Sequence, residues 1–101
     1  MRWFNVTSAP TWKVLGGTRR SQGAQMVIHP GDSEGGPDNR HPRSDQWLFV
    51  IRGQGKALVE GKSIRLKPGV LLLIEKGERH QILATGRAPL RTVNVYCPPV
   101  Y

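Results

Sequence analysis

The many glycines and prolines spread along this chain are the feature that most constrains how it folds. Twelve glycines and eight prolines interrupt the 101 residues, and they leave short runs of the length typical of strands joined by turns. No segment carries apolar residues at the spacing of an amphipathic helix. The chain is therefore predicted to be all-β, as a sandwich or barrel, and its length suits one domain with a single core.

Alternation of apolar and polar residues places the individual strands. Glu60-Gly61 is typical of a tight hairpin turn, and Lys67-Pro68-Gly69 of a second turn. The glycine- and charge-rich stretch 30–43 is predicted to be a long loop near the mouth of a barrel. The predicted strands are 13–15, 24–29, 46–52, 55–60, 62–66, 70–74, 80–84 and 91–96.

The predicted strand 46–52 is apolar on both faces, which means that neither face suits water. One face should line the interior and carry Gln46 with it, while the other needs a cover. That cover is either the N-terminal segment, with Trp3, Phe4 and Trp12, or the same surface of a second subunit. The two sets are Gln46, Leu48, Val50 and Trp47, Phe49, Ile51.

Charge and cysteine content narrow the class of protein. Fifteen Lys and Arg against seven Asp and Glu give a net charge of +8, but the basic residues are dispersed and no nucleic-acid-binding motif is present. We therefore expect no nucleic-acid partner. Cys97 is the only cysteine, no signal peptide is recognisable, and no apolar run is long enough for a membrane span. These features predict a cytoplasmic protein with no membrane partner.

Two histidines lie in spaced patterns that suit a metal site. Asn39 and His41 are two residues apart, so on a strand they point to one face. Gln46 and His80 would reach the same point from neighbouring strands. A neutral imidazole is a strong ligand for late divalent metals, whereas amide oxygens are weaker and uncharged. The pattern therefore predicts a metal pocket with a reduced ligand set.

These two segments resemble the paired motifs of the cupin superfamily. The family's first motif is Gly, five residues, His-x-His, three or four residues, Glu, six residues, Gly; the second is Gly, five residues, Pro-x-Gly, two residues, His, three residues, Asn. The first is matched by Ser33 for the opening glycine, Asn39 and His41 for the histidines, Gln46 for the glutamate, and Gly53. The second is matched by Gly69, Glu75 for the proline, Gly77, His80, and Ala84 for the asparagine.

The resemblance implies a fold and a metal site. It implies a cupin double-stranded β-helix, a jelly-roll barrel, with its core at 24–98 and residues 1–23 packing on the barrel or on a partner. It also implies a homodimer, and a divalent ion (zinc, nickel, manganese or iron) held by His41, His80, Gln46 and Asn39.

Several functions are open at this point. With no anionic ligand, the ion would keep its full charge, and Arg43, Arg79 and Asn94 are the candidate contacts to a small-molecule ligand. The first expectation is Lewis-acid polarisation of an anionic or carbonyl-bearing molecule, as in isomerisation or ring-opening. A non-catalytic binding or sensing protein is the alternative, and a metal-dependent dioxygenase is the third.

Overall fold

The protein is built from strands. The computed structural model describes residues 1–6, 12–36 and 40–101, and every regular element within them is a β-strand. These residues include no helix that could cross a membrane. The strands are β1 (Lys13–Gly17), β2 (Gln22–Ile28), β3 (Ser33–Gly35), β4 (Asp45–Arg52), β5 (Gly55–Val59), β6 (Lys62–Leu66), β7 (Leu71–Ile74), β8 (His80–Ala84) and β9 (Leu90–Cys97).

The strands form two antiparallel sheets whose inner faces share one core. The order is β1-β2-β9-β4-β7 in the larger sheet and β3-β8-β5-β6 in the smaller. Met26 and Leu48 of the first sheet pack in the same cluster as Ala57 and Ile82 of the second. Since each sheet buries one face against the other, this is the jelly-roll arrangement expected from the sequence.

Side-chain alternation along β4 follows the sequence pattern. Gln46, Leu48 and Val50 are buried, whereas Trp47 and Phe49 are 40% and 43% exposed on the opposite face. Successive side chains of a strand point to opposite faces, and this alternation places the Gln46 amide in the interior between the two sheets.

Two turns are set by backbone conformations with positive φ. Glu60 and Gly61 connect β5 to β6 with φ of 48° and 77°, as the predicted hairpin turn requires. Gly53 follows β4 with φ of 84°, and a Cβ there would collide with the Pro89 carbonyl oxygen. Only glycine combines that conformation with so close an approach of two backbone segments.

Three expectations from the sequence are corrected by the structure. The stretch 30–43 is not all loop, because Ser33–Gly35 forms β3 along the edge of β8. Gln46 and His80 lie in opposite sheets and not on neighbouring strands. The N-terminal aromatics do not cover Trp47 and Phe49: the Phe4 ring lies over Gly16 of β1, Trp3 is exposed, and Trp12 packs toward the interior.

Candidate metal centre

His41 and His80 meet inside one end of the barrel. His80 is the first residue of β8, and its side chain faces inward with Ile82 and Ala84. His41 precedes β4, and its backbone carbonyl accepts a hydrogen bond from Gly77 N at 2.8 Å. The two ring centres are 5.1 Å apart. Two imidazoles that share one zinc at tetrahedral angles would have centres about 5 Å apart, so this spacing suits a common ion.

Burial keeps both rings in the form that binds metal. The pKa of His41 is lowered by burial and then by the charge of His80, while Gln46 opposes the shift. Burial likewise lowers the pKa of His80, against the opposing effects of the Glu78 carbonyl and carboxylate. Both imidazoles are therefore neutral at pH 7, and a neutral ring can offer a nitrogen lone pair.

A hydrogen bond to the Glu78 carbonyl contributes to the orientation of His80. Its Nδ1 lies 3.2 Å from the Glu78 carbonyl oxygen, which can only accept, so Nδ1 is the protonated nitrogen. The lone pair then lies on Nε2. An imidazole that donates one N–H to a carbonyl while offering the other nitrogen is the usual arrangement of a metal-bound histidine.

Gln46 contributes an unsatisfied buried acceptor. Its side chain is 2% exposed, and its Nε2 donates to Asn94 Oδ1 at 2.9 Å. Asn94 Nδ2 in turn donates to Thr92 Oγ1 at 3.0 Å. Gln46 Oε1 makes no hydrogen bond of good geometry in the described parts of the chain, although an interaction of the Gln46 amide with His41 raises the pKa of His41. Since buried acceptors are normally satisfied, we expect a water molecule or an ion in the cavity to bind this oxygen.

A small cavity joins these groups. Its volume is about 30 Å³, enough for an ion or a water molecule but not for a larger ligand without rearrangement. Its lining combines the histidines and Gln46 with aromatic and apolar side chains. The residues are Trp12, Met26, Glu34, Gly35, His41, Gln46, His80, Ile82, Tyr96 and Tyr101.

Aromatic rings flank one side of the cavity. The Tyr101 ring contacts Trp12 edge-on at 4.7 Å between ring centres, and it lies 5.3 Å from Tyr96. Gln22 holds the Tyr101 backbone through both ends of its amide, at 2.9 Å to N and 2.7 Å to O. Tyr96 packs edge-on against His41 at 5.3 Å. These contacts cover the histidine pair on that side and leave the cavity open on the side of Glu34.

The other predicted site residues lie elsewhere. Asn94 is buried behind Gln46, with its amide engaged by Gln46 and Thr92 and not presented to the cavity. Arg43 and Arg79 are exposed and do not line the cavity. Arg79 lines a second cavity of about 430 Å³, whose lining also includes His80 together with Leu58 and Gln81. Asn39 lies outside the described residues.

Sequence reasoning missed three residues that the fold brings to the site. Glu34 arrives on β3, in the stretch predicted to be loop, while Trp12 and Tyr101 arrive from segments far from both motifs. Alternation along β3 could have identified Glu34 had that strand been recognised. No local pattern marks the other two.

The donor set can bind a divalent ion, but with a lower affinity than a set that includes an anionic ligand. It comprises two neutral imidazoles and one amide oxygen with no other partner, and these are acceptable ligands for zinc, nickel, manganese or iron. No cluster of three or more His, Cys, Asp or Glu side chains with metal-binding geometry occurs in residues 1–6, 12–36 and 40–101. Any ion held here would therefore depend on Gln46 as well as on the histidines.

Comparisons with known proteins define the family. Residues 24–96 match the family model described as Cupin domain. Over 68 residues the chain is 36% identical to the tetracenomycin polyketide synthase protein TcmJ of Streptomyces glaucescens. The matched stretch covers 67% of this chain and 44% of that protein. The chain thus spans less than half the length of this curated relative.

Solved structures share the same architecture. A Bacillus halodurans protein matches with a TM-score of 0.87 and 24% identity, over 94% of this chain and 75% of its own. KdgF from Halomonas sp. matches with a TM-score of 0.80 and 22% identity, over 99% and 88% respectively. Identities this low bear on the fold alone. The family model, which matches 73 of the 101 residues, shows that this chain belongs to the cupin superfamily.

Proposed function

We propose that this cupin holds one divalent metal ion through His41, His80 and Gln46 and acts on a small carbonyl-bearing molecule at that centre. The observation that carries the proposal is the convergence of His41, His80 and the buried Gln46 on one small cavity, with the two ring centres 5.1 Å apart and no hydrogen bond of good geometry to Gln46 Oε1 in the described chain. When bound, such an ion supplies a Lewis acid that polarises a carbonyl or hydroxyl group.

The protein's own groups support this chemistry. The Glu78 carbonyl orients His80, and Asn94 orients Gln46, so both donors are held before any ion binds. Burial, followed by the Tyr101 phenol, raises the pKa of Tyr96 far above its usual value. Tyr96 therefore stays protonated, and its hydroxyl, which interacts with Tyr101 and Trp12, can turn to donate to an oxygen in the cavity.

The lining favours a neutral carbonyl compound over an anionic one. The cavity is lined by aromatic rings and one carboxylate, and its described lining includes no lysine or arginine. An anion would meet Glu34 at the opening, whereas a planar neutral molecule can pack against Trp12 and Tyr101. The relative from Streptomyces glaucescens is named a polyketide synthase protein, and polyketides are rich in carbonyl groups. Isomerisation or ring-opening of such a compound is the reaction class that we favour.

A non-catalytic binding function is the second candidate. The observation that favours it is the absence of an anionic ligand beside the histidines, since the described residues include no cluster of three or more His, Cys, Asp or Glu side chains that could hold a metal ion. A protein that stores or senses a small ligand needs no acid or base, whereas an enzyme of the proposed class does. A dioxygenase of the two-histidine, one-carboxylate kind is less favoured, because the proposed third ligand is the Gln46 amide.

We also propose that two copies of this chain pair through the outer face of the larger sheet. The N-terminal residues Phe4 and Val6 lie over the β1 side of that sheet, near Gly23 and Val93. The β4 and β7 side remains open as a contiguous apolar surface, which is unusual for a monomer in water. Its residues are Trp47, Phe49, Leu71, Leu73 and Val95.

Metal content is the direct test. Protein purified without chelator or metal-affinity resin is analysed by mass spectrometry of its metals, then titrated with zinc, nickel, manganese or anaerobic ferrous ion. The wild type should bind about one equivalent, and His41→Ala and His80→Ala should lose it. His29→Ala is the matched control, since His29 is exposed and outside the cavity. Negligible metal in the wild type, or equal loss in the His29 variant, would overturn the proposal.

A further inference from the structure

We propose that Glu34 is the catalytic base of this site, taking a proton from the carbon next to the substrate carbonyl and returning it to the neighbouring carbon. The inference rests on the proposed function, and it supplies the acid–base group that neither sequence motif contains.

The pairing of β3 directs the Glu34 side chain inward. Glu34 lies opposite Ile82 in the antiparallel β3–β8 pair, and residues directly opposite each other point to the same face. Ile82 is 1% exposed and belongs to the core. Glu34 accordingly lines the same cavity as His41 and His80, while its position on an edge strand leaves it accessible from solvent.

The strand that carries Glu34 is anchored on both sides of it. Asp32 O accepts a hydrogen bond from Ala84 N at 3.3 Å, and Ser33 Oγ accepts one from Gln81 Nε2 at 3.4 Å. Gly35 continues the register opposite Gln81. A carboxylate borne on a paired strand is held in place more firmly than one on an open loop, and a base must be so positioned.

The carboxylate and the interior phenol line the same cavity. Glu34 on β3 and Tyr96 on β9 are both among its lining residues. Glu34 is the one carboxylate in the described cavity lining. A proton donor and a proton acceptor therefore face one small space, which is the combination that enolisation of a carbonyl compound requires.

The proposed step balances without any further reactant. The substrate class is an α-hydroxy carbonyl compound. The Glu34 carboxylate oxygen forms a bond to the proton as the C–H bond breaks. The electron pair of that bond becomes the C=C bond of an enediolate, and the carbonyl π pair moves to oxygen, where the Tyr96 hydroxyl donates a hydrogen bond. The proton of the α-hydroxyl group then passes to the former carbonyl oxygen, so that the α-carbon becomes the new carbonyl carbon, and return of the proton from Glu34 to the former carbonyl carbon yields the isomer. Nothing is oxidised or reduced overall.

Exchange of carbon-bound protons with solvent measures this step. The probe is α-hydroxyacetophenone, a planar neutral ketone, incubated in D₂O with zinc-loaded protein and followed by proton NMR. The variants are Glu34→Gln, Glu34→Asp and, as matched control, Glu75→Gln, which removes an exposed carboxylate outside the cavity. Zinc content and probe dissociation constant are measured for each by mass spectrometry and calorimetry.

We expect the wild type and Glu75→Gln to catalyse exchange alike. Glu34→Gln should be slower by about 100-fold or more, the usual contribution of a general base, and Glu34→Asp should recover part of that loss. Zinc content and probe affinity should change by less than about two-fold in Glu34→Gln, since a base contributes little to ground-state binding.

The other outcomes separate this inference from the function on which it rests. Exchange by Glu34→Gln at the wild-type rate, or a wild type that binds zinc and probe without exchange, overturns the role of Glu34 and leaves the binding function standing. Loss of zinc or of probe binding in Glu34→Gln overturns it as well, because the residue would then be a binding group. Failure of the wild type to bind zinc or probe overturns both.

Discussion

Replacing Gln46 with glutamate tests whether this side chain faces a metal-binding cavity. Gln46 is 2% exposed, and its Nε2 donates to Asn94 Oδ1 at 2.9 Å. An ionised carboxylate cannot donate, but a protonated carboxyl group can. Without metal, the buried carboxyl of Gln46→Glu should therefore stay protonated. Keeping a group of ordinary pKa near 4.3 protonated at pH 7 costs about 3.7 kcal/mol. That is a large share of the roughly 5–15 kcal/mol that stabilises a domain of this kind.

A divalent ion should reverse that loss. The ion favours the ionised carboxylate, which then contributes an anionic ligand that the wild type lacks. Ligand at 100 times its dissociation constant stabilises a protein by about 2.7 kcal/mol, and each tenfold gain in affinity adds about 1.4 kcal/mol. We expect metal to stabilise Gln46→Glu by at least about 1.4 kcal/mol more than it stabilises the wild type.

The assay is urea unfolding followed by tryptophan fluorescence, in EDTA and in excess zinc. Gln25→Glu is the matched control, because Gln25 is equally buried at 2% exposure but lies on the outer face of β2, opposite Val93. Its stability should not respond to zinc beyond the wild-type response. The reasoning fails if Gln46→Glu is as stable as the wild type in EDTA, or if zinc stabilises both variants equally.

Three further predictions concern pH, assembly and backbone. Burial lowers the pKa of His41 and His80, so just below pH 6.5 the unfolded chain binds more protons than the native chain. The free energy of unfolding of the metal-free protein, measured in urea, should therefore fall as pH falls through that value. Replacing both histidines with phenylalanine should flatten this dependence on pH. Trp47→Lys should convert a dimer to a folded monomer in sedimentation velocity, and a monomeric wild type would contradict the proposed interface. Gly53→Ala should lower the free energy of unfolding in urea by about 2–4 kcal/mol, through backbone strain and overpacking. Gly61→Ala should lower it by only about 1 kcal/mol, because φ is also positive there but the added Cβ would meet open space. Equal losses in the two variants would exclude the steric contribution at Gly53.

Local patterns in the sequence determined most of the strands and the histidine pair. Alternation in 46–52 placed Gln46 inside and Trp47 outside, because a strand has a strict period of two. Glycine at 61 marked a hairpin through its need for positive φ. Both of these inferences use short-range geometry that the order of residues carries directly. The pairing of His41 with His80 was predicted instead through the resemblance of their two motifs to those of the cupin superfamily.

Tertiary structure alone decided what surrounds that pair. Glu34 faces the cavity because β8 offers an edge to which three residues of weak strand propensity can bond, and no local signal in Ser33–Gly35 predicts that partner. Gln46 and His80 meet across two sheets, which depends on how the whole barrel closes. Trp12 and Tyr101 are 89 positions apart in the sequence, yet their rings contact each other edge-on. The Gln22 amide also donates a hydrogen bond to the Tyr101 backbone carbonyl oxygen. Pairings over such distances arise from the shared core, and no segment of the chain carries them by itself.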